Sequence, residues 1–269
     1  MKNSRKQKVE QISAAAAIIY VINQLLFMAL VIVLGFVLFE YRTGLKEAKY
    51  DSEYVEPVVV ATNLKDNKDH EVYTLVVNQS ANESKLELVS VVKYDKKLNQ
   101  LKLMTIPPST RLSQESGSIE ELYYSEGLPS FIKELEKASD LKMEHYMIMT
   151  PYASQLIVQQ MVAKTYSEDE LVKLLDTAFN PGTGKIQQKA IEVLAETTIT
   201  QGFAKSHLWR LPKSLGLLIG YSVNDFNLKE ISSLAKDITF EEQSDYEFKH
   251  LTNNQLLREY KNEFLSFFE

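Results

Sequence analysis

The side chains best suited to chemistry are sparse and gather at two places. One is TIPPSTRL (Thr105–Leu112), where an apolar run ends in two prolines followed by Ser109, Thr110 and Arg111. In open α/β sheets such strand ends line the ligand crevice, and a guanidinium there offers a forked donor to an anion. A surface arginine in a loop reads the same way, so both readings of Arg111 stand. The other is NPGTGKIQQK (Asn180–Lys189), a loop that opens a helix. Amides at a helix start attract phosphate, but the spacing is not that of a Walker loop.

Other chemistries are excluded or unsupported. The chain has no cysteine, which removes thiol nucleophiles, thiolate metal sites and disulfides together. His70, His145, His207 and His250 show no metal-ligand spacing, and His145 sits in an apolar run that suits a core histidine. No Gly-x-Ser-x-Gly elbow is present. A net charge of −6 argues against nucleic acid.

The elements that must position these residues are legible in outline. Strand signals lie at Val58–Thr62, Val72–Val77, Leu86–Tyr94 and Leu101–Ile106, with DKKLNQ joining the last two as a hairpin. Helices are expected at Ile119–Tyr124 and Pro129–Ala138, then a short buried strand HYMIMT (His145–Thr150). Thr150 can cap a helix beginning at Pro151, and Ser167 with Glu170 forms a capping box for the next. Further helices are expected at Lys185–Thr197, Lys205–Ile219 and Leu228–Lys236, and a last one from Thr252. That last helix places Leu257, Phe264, Phe267 and Phe268 on one stripe, which suits either the core or a docking face. Strands alternating with helices predict an α/β domain around a central sheet.

Residues 11–39 carry no charged side chain. Roughly 20 apolar residues span a ~30 Å hydrocarbon core, so this run predicts a transmembrane helix. Lys2, Arg5, Lys6 and Lys8 ahead of it predict a cytoplasmic N-terminus. The expected order is a tail over 1–10, the helix over 11–39, a stalk over 40–57 and an extracellular domain over 58–269. Asn23 and Gln24 would then contact a partner helix within the bilayer, or lie near the headgroups. A cysteine-free domain of this composition suits the outer face of a Gram-positive cell.

Several motifs share an order with a known family. TIPPST is similar to Ser-Ile-Pro-Arg-Asp-Thr, HYMIM to His/Asn-Tyr-Val-x-Val, GKIQQK to Gly-Arg-x-x-Arg-Gln, and Leu228–Asp237 to a closing Leu-Ser-x-x-Glu-Leu helix. Over Val72–Asp237 the chain thus resembles the LytR–CpsA–Psr (LCP) family, envelope enzymes that attach lipid-carried glycopolymers to peptidoglycan. The resemblance implies arginines for the lipid pyrophosphate and aspartates for magnesium. Those positions fall on Pro108 and Ser109, near Ser80 and Lys85, and on Lys185 and Gln188. Lys185 keeps a charge without the fork.

The resemblance therefore implies an LCP-like domain stripped of catalytic residues. The expected role is an accessory or scaffolding subunit of envelope assembly with a membrane or cell-envelope protein as partner. The alternatives are an active transferase rearranged around Arg111, Lys185 and Gln188, and an anchored binding domain of unrelated fold. No cofactor is expected, with magnesium and polyprenyl pyrophosphate entering only if the site is active. A polyprenyl-linked glycopolymer is a further candidate ligand.

Overall fold

The structure is a computed structural model describing residues 28, 33–49, 51, 71–80, 85–114, 116–162, 166–179, 185–202, 211–227, 230, 246–251, 257 and 261–269. Its strands are β1 (Glu71–Gln79), β2 (Leu86–Asp95), β3 (Gln100–Ile106), β4 (His145–Met149), β5 (Ser222–Asn224) and β6 (Tyr246–His250). Its helices are α1 (33–49), α2 (Ile119–Ser139), α3 (Pro151–Val162), α4 (Glu168–Phe179), α5 (Lys185–Gly202), α6 (Leu211–Gly220) and α7 (Lys261–Phe268). One sheet runs in the order β5-β4-β1-β2-β3-β6. The β1–β2, β2–β3 and β4–β5 pairs are antiparallel, and β1–β4 and β3–β6 are parallel.

Local chemistry sets the turns and helix ends. In the β2–β3 hairpin, Asp95 Oδ1 accepts the amides of Lys97 and Leu98 at 2.8 and 2.9 Å, and Asn99 takes a left-handed φ of 52°. Short polar side chains stabilise such turns by hydrogen-bonding the backbone just ahead. Ser118 and Glu121 close a reciprocal capping box on α2. Gly127, at φ 81°, kinks that helix before Pro129, so the two expected helices are halves of one bent element. Thr150 Oγ1 accepts from Ala153 N at 3.3 Å, as expected for α3, and Ser167 and Glu170 form the expected box on α4.

Alternation along the strands sends side chains to opposite faces. Leu75, Val77, Val89, Val91, Met104, Ile106, Tyr146 and Ile148 face α2 and α7, where Phe131, Leu135, Phe264 and Phe268 bury them. The stripe on α7 is therefore a core face. Lys93 and Lys102 donate to the last carbonyls of that helix, Phe268 O and Phe267 O, and Lys93 also pairs with Glu71 at 2.7 Å. Cations at a helix C-terminus satisfy its free carbonyls and its dipole. On the other face, Met147 and Met149 pack with Ala153, Ile157, Leu217 and Tyr221. Outside them, α4 and α5 share Leu171, Leu175, Ala190 and Leu194. The result is a helix–sheet–helix sandwich.

The transmembrane helix expected over 11–39, and the single-pass membrane localisation with an outward-facing domain, are corrected by the structure. Among the described residues, no helix is long and apolar enough to cross a membrane. The described part of the run, 33–39, belongs to α1, which continues to residue 49 through Glu40, Arg42, Lys46, Glu47 and Lys49. Those charges sit on a helix docked on α6. A Cβ on Gly44 would stand 2.2 Å from Lys213 O, and one on Gly216 would stand 2.2 Å from Tyr41 O. The backbones touch where side chains would separate them. Beyond α1, Asp51 Oδ2 accepts the hydroxyls of Tyr152 at 3.0 Å and Tyr221 at 2.7 Å. Asn23 and Gln24, the expected strand Val58–Thr62, the loop Asn180–Gly184 and the start at Thr252 lie outside the described residues. Only Glu230 of the expected helix Leu228–Lys236 is described, and residues 205–210 of Lys205–Ile219 are not.

His145 opens β4 as a core histidine. Its ring stacks on Phe226 with centroids 4.3 Å apart, and its Nδ1 lies 3.5 Å from Asp225 Oδ1. The same oxygen accepts from Tyr146 N at 2.9 Å. Burial pulls the ring's pKa down, but the adjacent Asp225 carboxylate, helped by Glu230 and Glu144, outweighs it and raises it above the usual histidine value.

Two stability measurements test this packing. Gly216→Ala is expected to destabilise the fold by about 1–3 kcal/mol in urea unfolding, through overpacking against α1. Gly35→Ala, where an added Cβ meets nothing within 4 Å, should leave stability unchanged or slightly raised. A raised folded pKa means the protonated His145 adds stability below its unfolded pKa, about 6.5, and loses it as pH rises through the folded value. The stability gap between wild type and His145→Asn should therefore be larger at pH 5.5 than at pH 8.5. Equal gaps would disprove the Asp225 pairing.

Candidate functional site

Between the sheet and the helices of its α3–α6 face lies an apolar cavity of about 330 Å³. Its floor is Val76, Leu88, Val92, Leu101 and Leu103, from the three strands of the antiparallel meander. Its roof is Ile157 and Val158 of α3, Ala178 of α4, Ile191 and Leu194 of α5, and Leu218 of α6. The buried polar residues Asn78, Ser90 and Ser154 interrupt the lining. Ser154 Oγ donates to Asn78 Oδ1 at 2.7 Å, which leaves the amide NH₂ of Asn78 to serve another acceptor. Glu87 completes the wall.

Glu87 is there because of a register shift. Asn78 pairs with Leu88 while Gln79 pairs with Leu86, so Glu87 is the extra residue of a β-bulge. Around it stand other polar groups. Lys85 Nζ lies 3.8 Å from Glu87 Oε1, and Glu120 Oε1 accepts from Leu86 N at 2.9 Å. Tyr123 OH donates to Gln79 Oε1 at 3.1 Å. The Tyr124 hydroxyl is pushed up to about 12, first by burial and then by the Glu120 charge, with Glu87 adding and Gln79 opposing. It is a proton donor at any physiological pH.

The expected site residues separate into groups. Ser80 and Lys85 are together, since Ser80 N donates to Lys85 O at 2.8 Å across the β1–β2 loop. Pro108 approaches them through α2, because its carbonyl accepts from Glu120 N at 3.0 Å. Ser109 is exposed on the same turn. Arg111 is exposed as well, bridged to Ser118, with its carbonyl accepting from Leu257 N at 2.9 Å. Lys185 opens α5 and Gln188 lies in its first turn, but their side chains lie outside the described residues. Thr110 O accepts from Ile119 N at 2.8 Å, so TIPPST occupies the first amides of α2 that an anion would need.

Of the described positions, Ser80, Pro108 and Ser109 offer a magnesium-bound diphosphate neither a carboxylate nor a guanidinium. The rim carboxylates Glu87 and Glu120 already hold Lys85 and the Leu86 amide. Among the described residues, no three metal-ligating side chains come together. What the geometry can do is enclose an apolar chain. The sequence reading overlooked Glu87, Glu120, Tyr124 and the Asn78–Ser154 pair. Asn78 and Ser90 carried the available signal, as polar residues inside otherwise apolar strands.

No protein-family model and no curated protein matches the sequence. Solved structures do match. A proposed transcription regulator from Eubacterium siraeum has 13% identity and a TM-score of 0.60, covering 79% of this chain and 98% of that one. Bacillus subtilis TagV has 13% identity and a TM-score of 0.57, covering 75% and 98%. TagT bound to LI-WTA has 14% identity and a TM-score of 0.53, covering 78% and 99%. TagT and TagV are LCP-family proteins, and at these identities the likeness establishes one thing about this chain: its α/β fold is LCP-like.

Proposed function

We propose that this chain is a non-catalytic protein of cell-envelope glycopolymer assembly whose cavity holds a polyprenyl chain. The observation that carries the reading is an open apolar cavity beside a rim without the ligands of a diphosphate. Serine and proline stand at Ser80, Pro108 and Ser109, and among the described residues the cation beside them, Lys85, is paired with Glu87. Burying an apolar chain supplies roughly 25 cal/mol per Å² removed from water, so affinity does not require phosphate ligands. TagT, which shares this fold, is bound to LI-WTA, and this supports a role in glycopolymer assembly here. The chain acts beside a cell-envelope partner that contributes the catalytic charges.

Binding of a radiolabelled prenyl chain to the full chain tests this. Val158→Trp fills the cavity and should weaken binding at least tenfold with the melting temperature retained; unchanged binding would remove the cavity from the account. Incubation with polyprenyl pyrophosphate, Mg²⁺ and a glycan acceptor should release no phosphate. Release that is lost in Lys185→Ala would replace this reading with an active transferase.

A further inference from the structure

Resting on the same cavity, we infer that it selects an apolar chain ending in an uncharged hydroxyl, a long-chain alcohol of the polyprenol class, over the phosphate-headed form. The charge arrangement points this way. Glu87 lines the cavity, its side chain only 14% exposed, and Glu120 stands behind it on the Leu86 amide. Lys85 offsets one of these two carboxylates at 3.8 Å, so the described rim carries a net negative charge. An anionic head entering beside Glu87 would leave water to face a like charge in a partly buried setting, where Coulomb repulsion is poorly screened.

A cationic head is disfavoured for a different reason: both carboxylates already have donors, and Lys85 itself occupies that place. The hydrogen-bonding capacity left over is neutral. Asn78 has its NH₂ to give once its oxygen holds Ser154, and the Ser154 and Ser90 hydroxyls can each accept. A hydroxyl, both donor and acceptor, satisfies such a set without leaving a buried charge unpaired. The bulge that turns Glu87 toward the cavity thus acts as a filter on the head group.

Equilibrium dialysis of the full chain against tritiated farnesol, farnesyl phosphate and farnesylamine tests this. Farnesol is expected to bind about tenfold more tightly than farnesyl phosphate, a difference of ~1.4 kcal/mol. Glu87→Gln should narrow that ratio to threefold or less, and Lys85→Ala, which leaves the carboxylates unopposed, should widen it. Farnesyl phosphate binding as well as or better than farnesol would overturn the inference while leaving a chain-binding cavity. Tightest binding of farnesylamine would also overturn it, in favour of a cationic head. Failure of all three probes, or binding unaffected by Val158→Trp, would instead sink the underlying reading of the cavity.

Discussion

Pairing of β1 with β2 decides which side chains reach each face of the sheet, and nearly everything else follows from it. From Glu71 opposite Asp95 to Asn78 opposite Leu88 the ladder is regular. Because side chains alternate, this places Leu75, Val77, Val89 and Val91 against α2 and α7 and sends Val76, Asn78, Ser90 and Val92 the other way. A regular continuation would set Glu87 opposite Gln79 and drive its carboxylate into the α2 core. The bulge puts Leu86 there instead, buried at 2% exposure, and releases Glu87 to the cavity wall. One inserted residue thus resolves a packing conflict and charges the mouth of the site.

The two faces are finished differently. The α2–α7 side is dense with aromatic rings, and Phe268 makes edge contacts with both Phe264 and Phe267. Lysines from β2 and β3 hold the end of α7 in place. On the opposite side the small or polar residues Ser90, Asn78, Ser154 and Ala178 meet where large apolar ones would close the gap. An unfilled apolar cavity costs stability in proportion to its volume. An apolar ligand offsets that cost, so binding and folding are linked through the same space.

The central meander, the two halves of α2 (though not their union), β4 and the capped starts of α3 and α4 were legible, because local rules agree with the tertiary outcome there. Turn chemistry in DKKLNQ, the Thr150 cap, the capping pair at Ser167 and the strand signals of β1 to β3 each point to one structure. The edge strands β5 and β6 were not. Ser222–Asn224 is too short to show a period, and Tyr246–His250 pairs with β3 from far along the chain. The run over 11–39 misled because length and apolarity alone suggest a span. The contrary signal lay further on, in Gly44 and Gly216, whose role is visible only once two helices meet. Glu87 escaped notice for a related reason, since alternation in LELVSVV looks regular until the partner strand reveals the bulge.

The neutral residues at Ser80, Pro108 and Ser109 are coherent with the backbone that carries them. The LCP resemblance implies aspartates and arginines around a diphosphate, and such groups are favourable only while their partner is present. Partly buried charges without a counter-ion carry a desolvation penalty that neutral residues avoid. At the end of β3, Pro107 and Pro108 fix a tight turn whose carbonyls accept Thr110 N and Glu120 N, and Thr110 O accepts Ile119 N. Every one of these bonds is internal, so the turn needs no ligand to be stable. Glu120, held by Pro108 through its amide, then holds Leu86 through its carboxylate, tying β3, α2 and β2 into one rim. The backbone of this turn is thus closed by its own hydrogen bonds beside an apolar space, and the Glu120 link couples the shape of that space to the β3–α2 connection.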